Sequence, residues 1–127
     1  MREILFRGKD LAGNWHYGTP LIFTENHVCI IAPHTYTKKV ESDTVGQYTG
    51  LTDNNGKKIF EGDVVKVEGF LELAFVVIYY NGGFKLKEIG SEDLFAYYIT
   101  ESMVEEELIE VIGNIHDNLE LQKGGEG

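Results

Sequence analysis

Apolar residues in this chain fall into short runs cut by glycines and by Asp/Asn turns, not into the three- and four-residue spacing of amphipathic helices, so the pattern predicts strands. Ile4-Leu5-Phe6 reads as a short strand closed by Arg7-Gly8-Lys9-Asp10, and Trp15-His16-Tyr17-Gly18 resumes extended structure after an Ala12-Gly13-Asn14 turn. Leu21-Ile22-Phe23 and Val28-Cys29-Ile30-Ile31 flank a polar tip and predict a hairpin, which Pro33 ends because it cannot donate to a ladder. His34–Asp43 is polar and without periodicity, and is expected to be a linker or surface loop.

Gly46–Asp63 is densest in turn chemistry. Asp53-Asn54-Asn55-Gly56 predicts a tight turn between two strands, and Glu61-Gly62-Asp63 a sharp corner into a third. Val64–Glu68 partly alternates, and the fully apolar Phe75–Tyr80 suits a strand buried on both faces or curled around a small barrel. Asn81-Gly82-Gly83 turns into the cleanly alternating Phe84–Glu88. Ser91, with Glu92 and Asp93 behind it, is expected to cap one short helix carrying Leu94, Phe95 and Tyr98. Leu108–Ile115 predicts the last strand, before a Gly-rich tail over 122–127. The expected architecture is mainly β: a β-hairpin extension over 1–40, then a small curled β barrel over 41–121.

Composition narrows the function. Seven Phe, seven Tyr and one Trp supply a core for 127 residues. One cysteine excludes an intramolecular disulfide, and with no membrane-spanning or leader-like run the expectation is a soluble cytoplasmic protein. The formal charge is −10 and lopsided: residues 64–127 hold four Lys/Arg against thirteen Asp/Glu. Such a surface repels phosphate backbones, disfavours nucleic acid and suits a neutral or basic partner.

Several stretches resemble the YopX family of phage and prophage proteins. They are Arg2-Glu3-Ile4-Leu5-Phe6-Arg7-Gly8-Lys9, Trp15-His16-Tyr17-Gly18, the run Val45–Val65, and Glu110-Val111-Ile112-Gly113-Asn114-Ile115-His116-Asp117-Asn118-Leu119-Glu120-Leu121. Many members have proline where this chain has Leu119. The resemblance implies an SH3-like β barrel for the second segment and a phage or prophage origin; it carries no activity over to any residue.

Each chemical constellation has a simpler reading beside it. Glu61 and Asp63 could serve a divalent ion as the centre of a metal-dependent enzyme, but no further oxygen ligands are marked out and a corner explains them. His27, Cys29 and His34 lack the second pair that a zinc site needs, and Cys29 sits among apolar residues. No glycine run is followed by the Lys-Ser/Thr of a phosphate loop. We therefore expect a non-catalytic protein without cofactor or metal. It would bind a protein partner, with a basic host protein in view, or assemble with itself as a homo-oligomer, because the Leu21–Ile31 hairpin is too short and apolar to stand alone. The candidate surface comprises Trp15, Tyr17, Tyr48, Phe60, Glu61 and Asp63 with the acidic Glu105, Glu106 and Glu107. The alternative is a single-strand nucleic-acid module stacking bases on Trp15, Tyr48 and Phe60, which would need interleaved basic residues.

Overall fold

The computed structural model describes residues 3–24, 27–31, 36–69, 73–90 and 96–117. In chain order these form β1 (Phe6–Lys9), β2 (Trp15–Thr24), β3 (His27–Ile31), β4 (Thr37–Val40), a 3-10 turn at Ser42–Thr44, β5 (Gly46–Thr52), β6 (Lys58–Phe60), β7 (Asp63–Val67), β8 (Ala74–Tyr80), β9 (Gly83–Glu88), β10 (Ala96–Tyr98), α1 (Glu101–Glu105) and β11 (Ile109–Asn114). The protein is mainly β, as the short apolar runs predict. The chain divides into two compact units, Met1–Gly50 and Leu51–Gly127.

In the first unit the strand order is β4-β3-β2-β1-β5. The hairpin expected around residues 24–27 is present, with Leu21 opposite Cys29 and Ile22 opposite Val28. Val28, Ile30 and Val40 form the core of one face, and Phe6 and Val45 pack against them. The expected loop over 34–43 is corrected here: residues 34 and 35 lie outside the described residues, but Thr37–Val40 is a strand on β3. Thr37, Lys38 and Lys39 are exposed and only Val40 is buried, so it carries no hydrophobic period; pairing to β3 makes it a strand, and lysines suit an edge. The sheet curls until the end of β4 returns over β1. The Glu41 amide donates to the Lys9 carbonyl at 2.8 Å, and the Lys9 amide donates to Thr44 Oγ1 at 2.8 Å. Val40 lies directly against the backbone of Gly8.

In the second unit the strand order is β10-β9-β8-β7-β11. Alternation sends Val65, Val67, Phe75, Val77, Leu86 and Ile109 to one face, where Ile59 and Met103 complete the core. Burying each aliphatic side chain contributes about 1.5–3 kcal/mol. The sheet does not close, which corrects the expected barrel: among the described residues β10 is paired to β9 alone and β11 to β7 alone. The edge of β11 is instead occupied by the Asp53 turn, since the Asn54 amide donates to the Ile109 carbonyl and the Val111 amide to Asp53 Oδ2. Groups that closure would need are thus already bonded.

The helix expected from Ser91 falls largely on residues outside those described, but Tyr98, assigned to it, belongs to β10. The described helix is α1, where Thr100 Oγ1 accepts from the Met103 amide at 3.3 Å and Met103 enters the core. Its tertiary anchors are Met103 and the partly buried Val104, too few for periodicity to show. No helix among the described residues is long and apolar enough to cross a membrane.

Candidate functional site

The outer face of the second sheet carries a clamp built by strand register. Ile78, Lys85 and Tyr98 lie in one row across β8, β9 and β10, and Tyr80 is the next residue on that face of β8. Leu86 turns into the core, so Lys85 must point the other way. Lys85 Nζ is 5.5 Å from the Tyr80 ring centroid and 5.0 Å from that of Tyr98. The two rings leave Lys85 only 8% exposed while being 52% and 72% exposed themselves. Contacts of a cation with ring faces contribute about 0.5–1 kcal/mol each when exposed and about 2 when desolvated. No carboxylate of another described residue pairs with this ammonium.

A second cluster lies in the first unit. His16 Nε2 is 2.7 Å from Asp10 Oδ2 and His16 Nδ1 is 2.8 Å from the Tyr36 hydroxyl, with Asp10 Oδ1 accepting from the Asn14 amide at 2.9 Å. The bond from His16, and then those from the backbone of Asn14 and Ala12, hold the Asp10 carboxyl down at about 2 against the opposing effect of burial. Beside it opens a cavity of about 500 Å³, lined by Asp10, Leu11 and Ala12 of the β1–β2 turn and by Lys38, Lys39, Val40 and Glu41. The order carboxylate, imidazole, hydroxyl is that of an oriented base beside a nucleophile. It also ties the β1–β2 turn to the chain entering β4.

The residues singled out in the sequence fall in both units, Trp15, Tyr17 and Tyr48 in the first and Phe60, Glu61, Asp63, Glu105, Glu106 and Glu107 in the second. Register sets Arg7 opposite Tyr17 and Lys9 opposite Trp15. The Arg7 guanidinium lies 4.6 Å over the Trp15 ring and Lys9 Nζ 5.8 Å from it, so basic groups do accompany this aromatic. Arg7 is itself buried and covers the ring face that a base would need. Tyr17 is exposed, whereas Tyr48 and Phe60 are buried, which removes both from a stacking platform. Glu61 and Gly62 form the corner entering β7, and Asp63, 1% exposed, accepts the Phe60 amide at 2.7 Å, the turn role that the sequence favours. Glu105, Glu106 and Glu107 stand exposed where α1 ends, and Glu107 takes a φ of 56° in that turn. Cys29 is buried on β3, and His34 lies outside the described residues. Among the described residues no three of His, Cys, Asp and Glu converge as for a metal ion.

Sequence reasoning missed Lys85 with Tyr80 and Tyr98, and Asp10 with His16 and Tyr36. The alternation of Phe84–Glu88 does place Lys85 off the core, but only the pairing with β10 reveals its neighbours.

The family described as YopX protein matches residues 6–123, and the chain belongs to that family. Its fold is similar to that of the crystal structure of protein EF1440 from Enterococcus faecalis, at 24% sequence identity and a TM-score of 0.60, over 96% of this chain and 99% of that one. No curated protein matches the chain.

Proposed function

We propose that this YopX-family chain is a non-catalytic accessory protein of phage or prophage origin that works in the cytoplasm by binding protein surfaces, its own copies included. The observation that carries the reading is the tyrosine-rich outer face of β8–β10, with Tyr80 and Tyr98 exposed around Lys85. Tyrosines of this kind supply large, rigid contact area with a polar tip and are enriched in protein interfaces. The acidic balance of the second half favours a neutral or basic partner over phosphate.

The test is capture from host lysate with immobilised wild-type chain and with a Tyr80→Ser/Tyr98→Ser variant, each with and without nuclease. Retention of a protein by wild type regardless of nuclease, lost in the variant, is the expected result. Retention that requires nucleic acid, or that the variant preserves, overturns it.

A catalytic reading rests on Tyr36, His16 and Asp10 beside their cavity and no longer on Glu61 and Asp63, because the Asp63 carboxylate already holds the Phe60 amide. It requires that Tyr36 be modified by an electrophilic substrate analogue and that His16→Gln abolish the modification. Intact mass measurement after exposure to phosphoryl and acyl donors decides the matter.

A further inference from the structure

We infer that the Tyr80–Lys85–Tyr98 clamp receives the acidic turn Glu105–Glu107 of a second copy of this chain, joining copies head to tail. The inference rests on the protein-binding reading above and names the partner.

Among the described residues of the second unit, two groups lack a complement. Lys85 is more than nine-tenths buried, yet its ammonium meets only the two tyrosine rings and no anion among the described residues. The ammonium keeps an open side, since among the described residues Lys85 Nζ is not one of the side-chain nitrogens that are both shut from water and without a hydrogen-bond partner, and a carboxylate brought to that side adds what the ring faces do not supply. Glu105, Glu106 and Glu107 are three consecutive exposed carboxylates that no described residue engages. Glu68 adds a fourth beside them, since its amide donates to the Leu108 carbonyl at 2.9 Å. Like charges held this close repel one another, and a cation docked among them relieves that repulsion.

Strand order keeps the two patches apart in one copy. Lys85 sits on β9, next to the β10 edge, whereas the acidic turn leads into β11 at the opposite edge. Adjacent strands are about 4.8 Å apart, so three intervening spacings put the patches on the order of 15 Å from each other. They cannot meet within one sheet, but they can meet between two. Such a contact uses different patches on the two copies, so it is heterologous and builds a ring where the rotation closes. Strand addition of β11 onto the next copy is not the mode, because the Asp53 turn already bonds the edge of β11.

Nucleic acid is the competing occupant of the clamp. It would bring phosphates toward a unit whose exposed turn is anionic, whereas a second copy brings the missing charge to both patches at once.

The experiment is charge exchange followed by light scattering on the full chain. Wild type is expected above the 14.3 kDa of one chain. Lys85→Glu alone, and Glu105→Lys/Glu106→Lys/Glu107→Lys alone, are expected to fall to that mass. All four substitutions in one chain, or a mixture of the two variants, are expected to restore the assembly, which also shows that each variant folds. Lys85→Gln, the milder change, is expected to weaken assembly at least tenfold. A monomeric wild type overturns the inference, as does an assembly that Lys85→Glu leaves intact, or a loss that the combined exchange fails to restore. A labelled oligothymidylate that binds wild type and is lost in Lys85→Gln at unchanged mass assigns the clamp to nucleic acid and overturns it too. If charge exchange has no effect while the tyrosine-dependent protein capture persists, the protein-binding reading stands and only the head-to-tail contact falls.

Discussion

Val40 Cγ2 lies 2.7 Å from the position that a Cβ on Gly8 would occupy, with Val40 Cβ at 3.0 Å and Cγ1 at 3.2 Å. The curl of the first sheet depends on this approach, since the same stretch bonds Glu41 to Lys9. Gly8→Ala is therefore expected to cost about 1–3 kcal/mol, the usual effect of overpacking a filled site. Urea unfolding measures it, and pairing Gly8→Ala with Val40→Ala should recover part of the loss relative to the sum of the two single effects. Strict additivity would show that the contact is not what limits the site.

Asp53 organises the turn that caps β11. Its Oδ1 accepts the amides of Asn55 and Lys57 and its Oδ2 that of Val111, all at 2.9 Å. Asp53→Ala removes the acceptor of three part-buried amides and is expected to destabilise by about 1–3 kcal/mol. Asp53→Asn should cost nearly as much, because one acceptor oxygen becomes an NH2 facing an N–H. A variant within experimental error of wild type in denaturant midpoint contradicts the assignment.

Acid should expose both carboxylates. Burial opposes ionisation of Asp53, yet the amides of Val111, Lys57 and Asn55 outweigh it and hold its pKa below the ordinary 3.8; Asp10 is held at about 2, first by His16. A folded pKa below the unfolded value binds fewer protons in the folded state. The stabilisation is thus complete above about 4 and is lost as pH falls from there through about 2. Denaturant midpoints measured across that window should drop, and the drop should be shallower in Asp10→Asn. Parallel curves for wild type and variant would refute the linkage.

What could be read from sequence was local. Asp53-Asn54-Asn55-Gly56 and Glu61-Gly62-Asp63 declare their turns because side-chain bonds to nearby amides and a left-handed glycine, such as Gly62 at φ 94°, act within a few residues. The apolar run Phe75–Tyr80 is legible as a strand for the same reason, but burial on both faces is corrected: Phe75 and Val77 are buried whereas Val76 and Ile78 are half-buried and Tyr79 and Tyr80 exposed. Thr37–Val40 was not, since its strand character comes from pairing with Val28–Ile31. Nor was the open sheet, because the Asp53 side chain that occupies the β11 edge reaches Val111, 58 positions along the chain. The clamp and the Asp10–His16–Tyr36 cluster depend likewise on register between distant segments, which no motif encodes.

Trp15 is the single tryptophan of the chain, so its fluorescence reports one defined place. The Arg7 guanidinium lies over that ring at 4.6 Å and Arg7 is only 5% exposed, conditions in which such a contact contributes about 2 kcal/mol. Arg7→Ala removes the cation over the ring and the side-chain stem that excludes water. It is expected to lower stability by at least about 2 kcal/mol and to move Trp15 emission to longer wavelength as the ring face is wetted. Arg7→Lys should recover little, because an ammonium lacks the planar, delocalised and weakly hydrated charge of a guanidinium. Were Trp15 a free platform for nucleobases, the opposite pattern would hold: emission would respond to oligonucleotide in the wild type, and Arg7→Ala would leave stability unchanged.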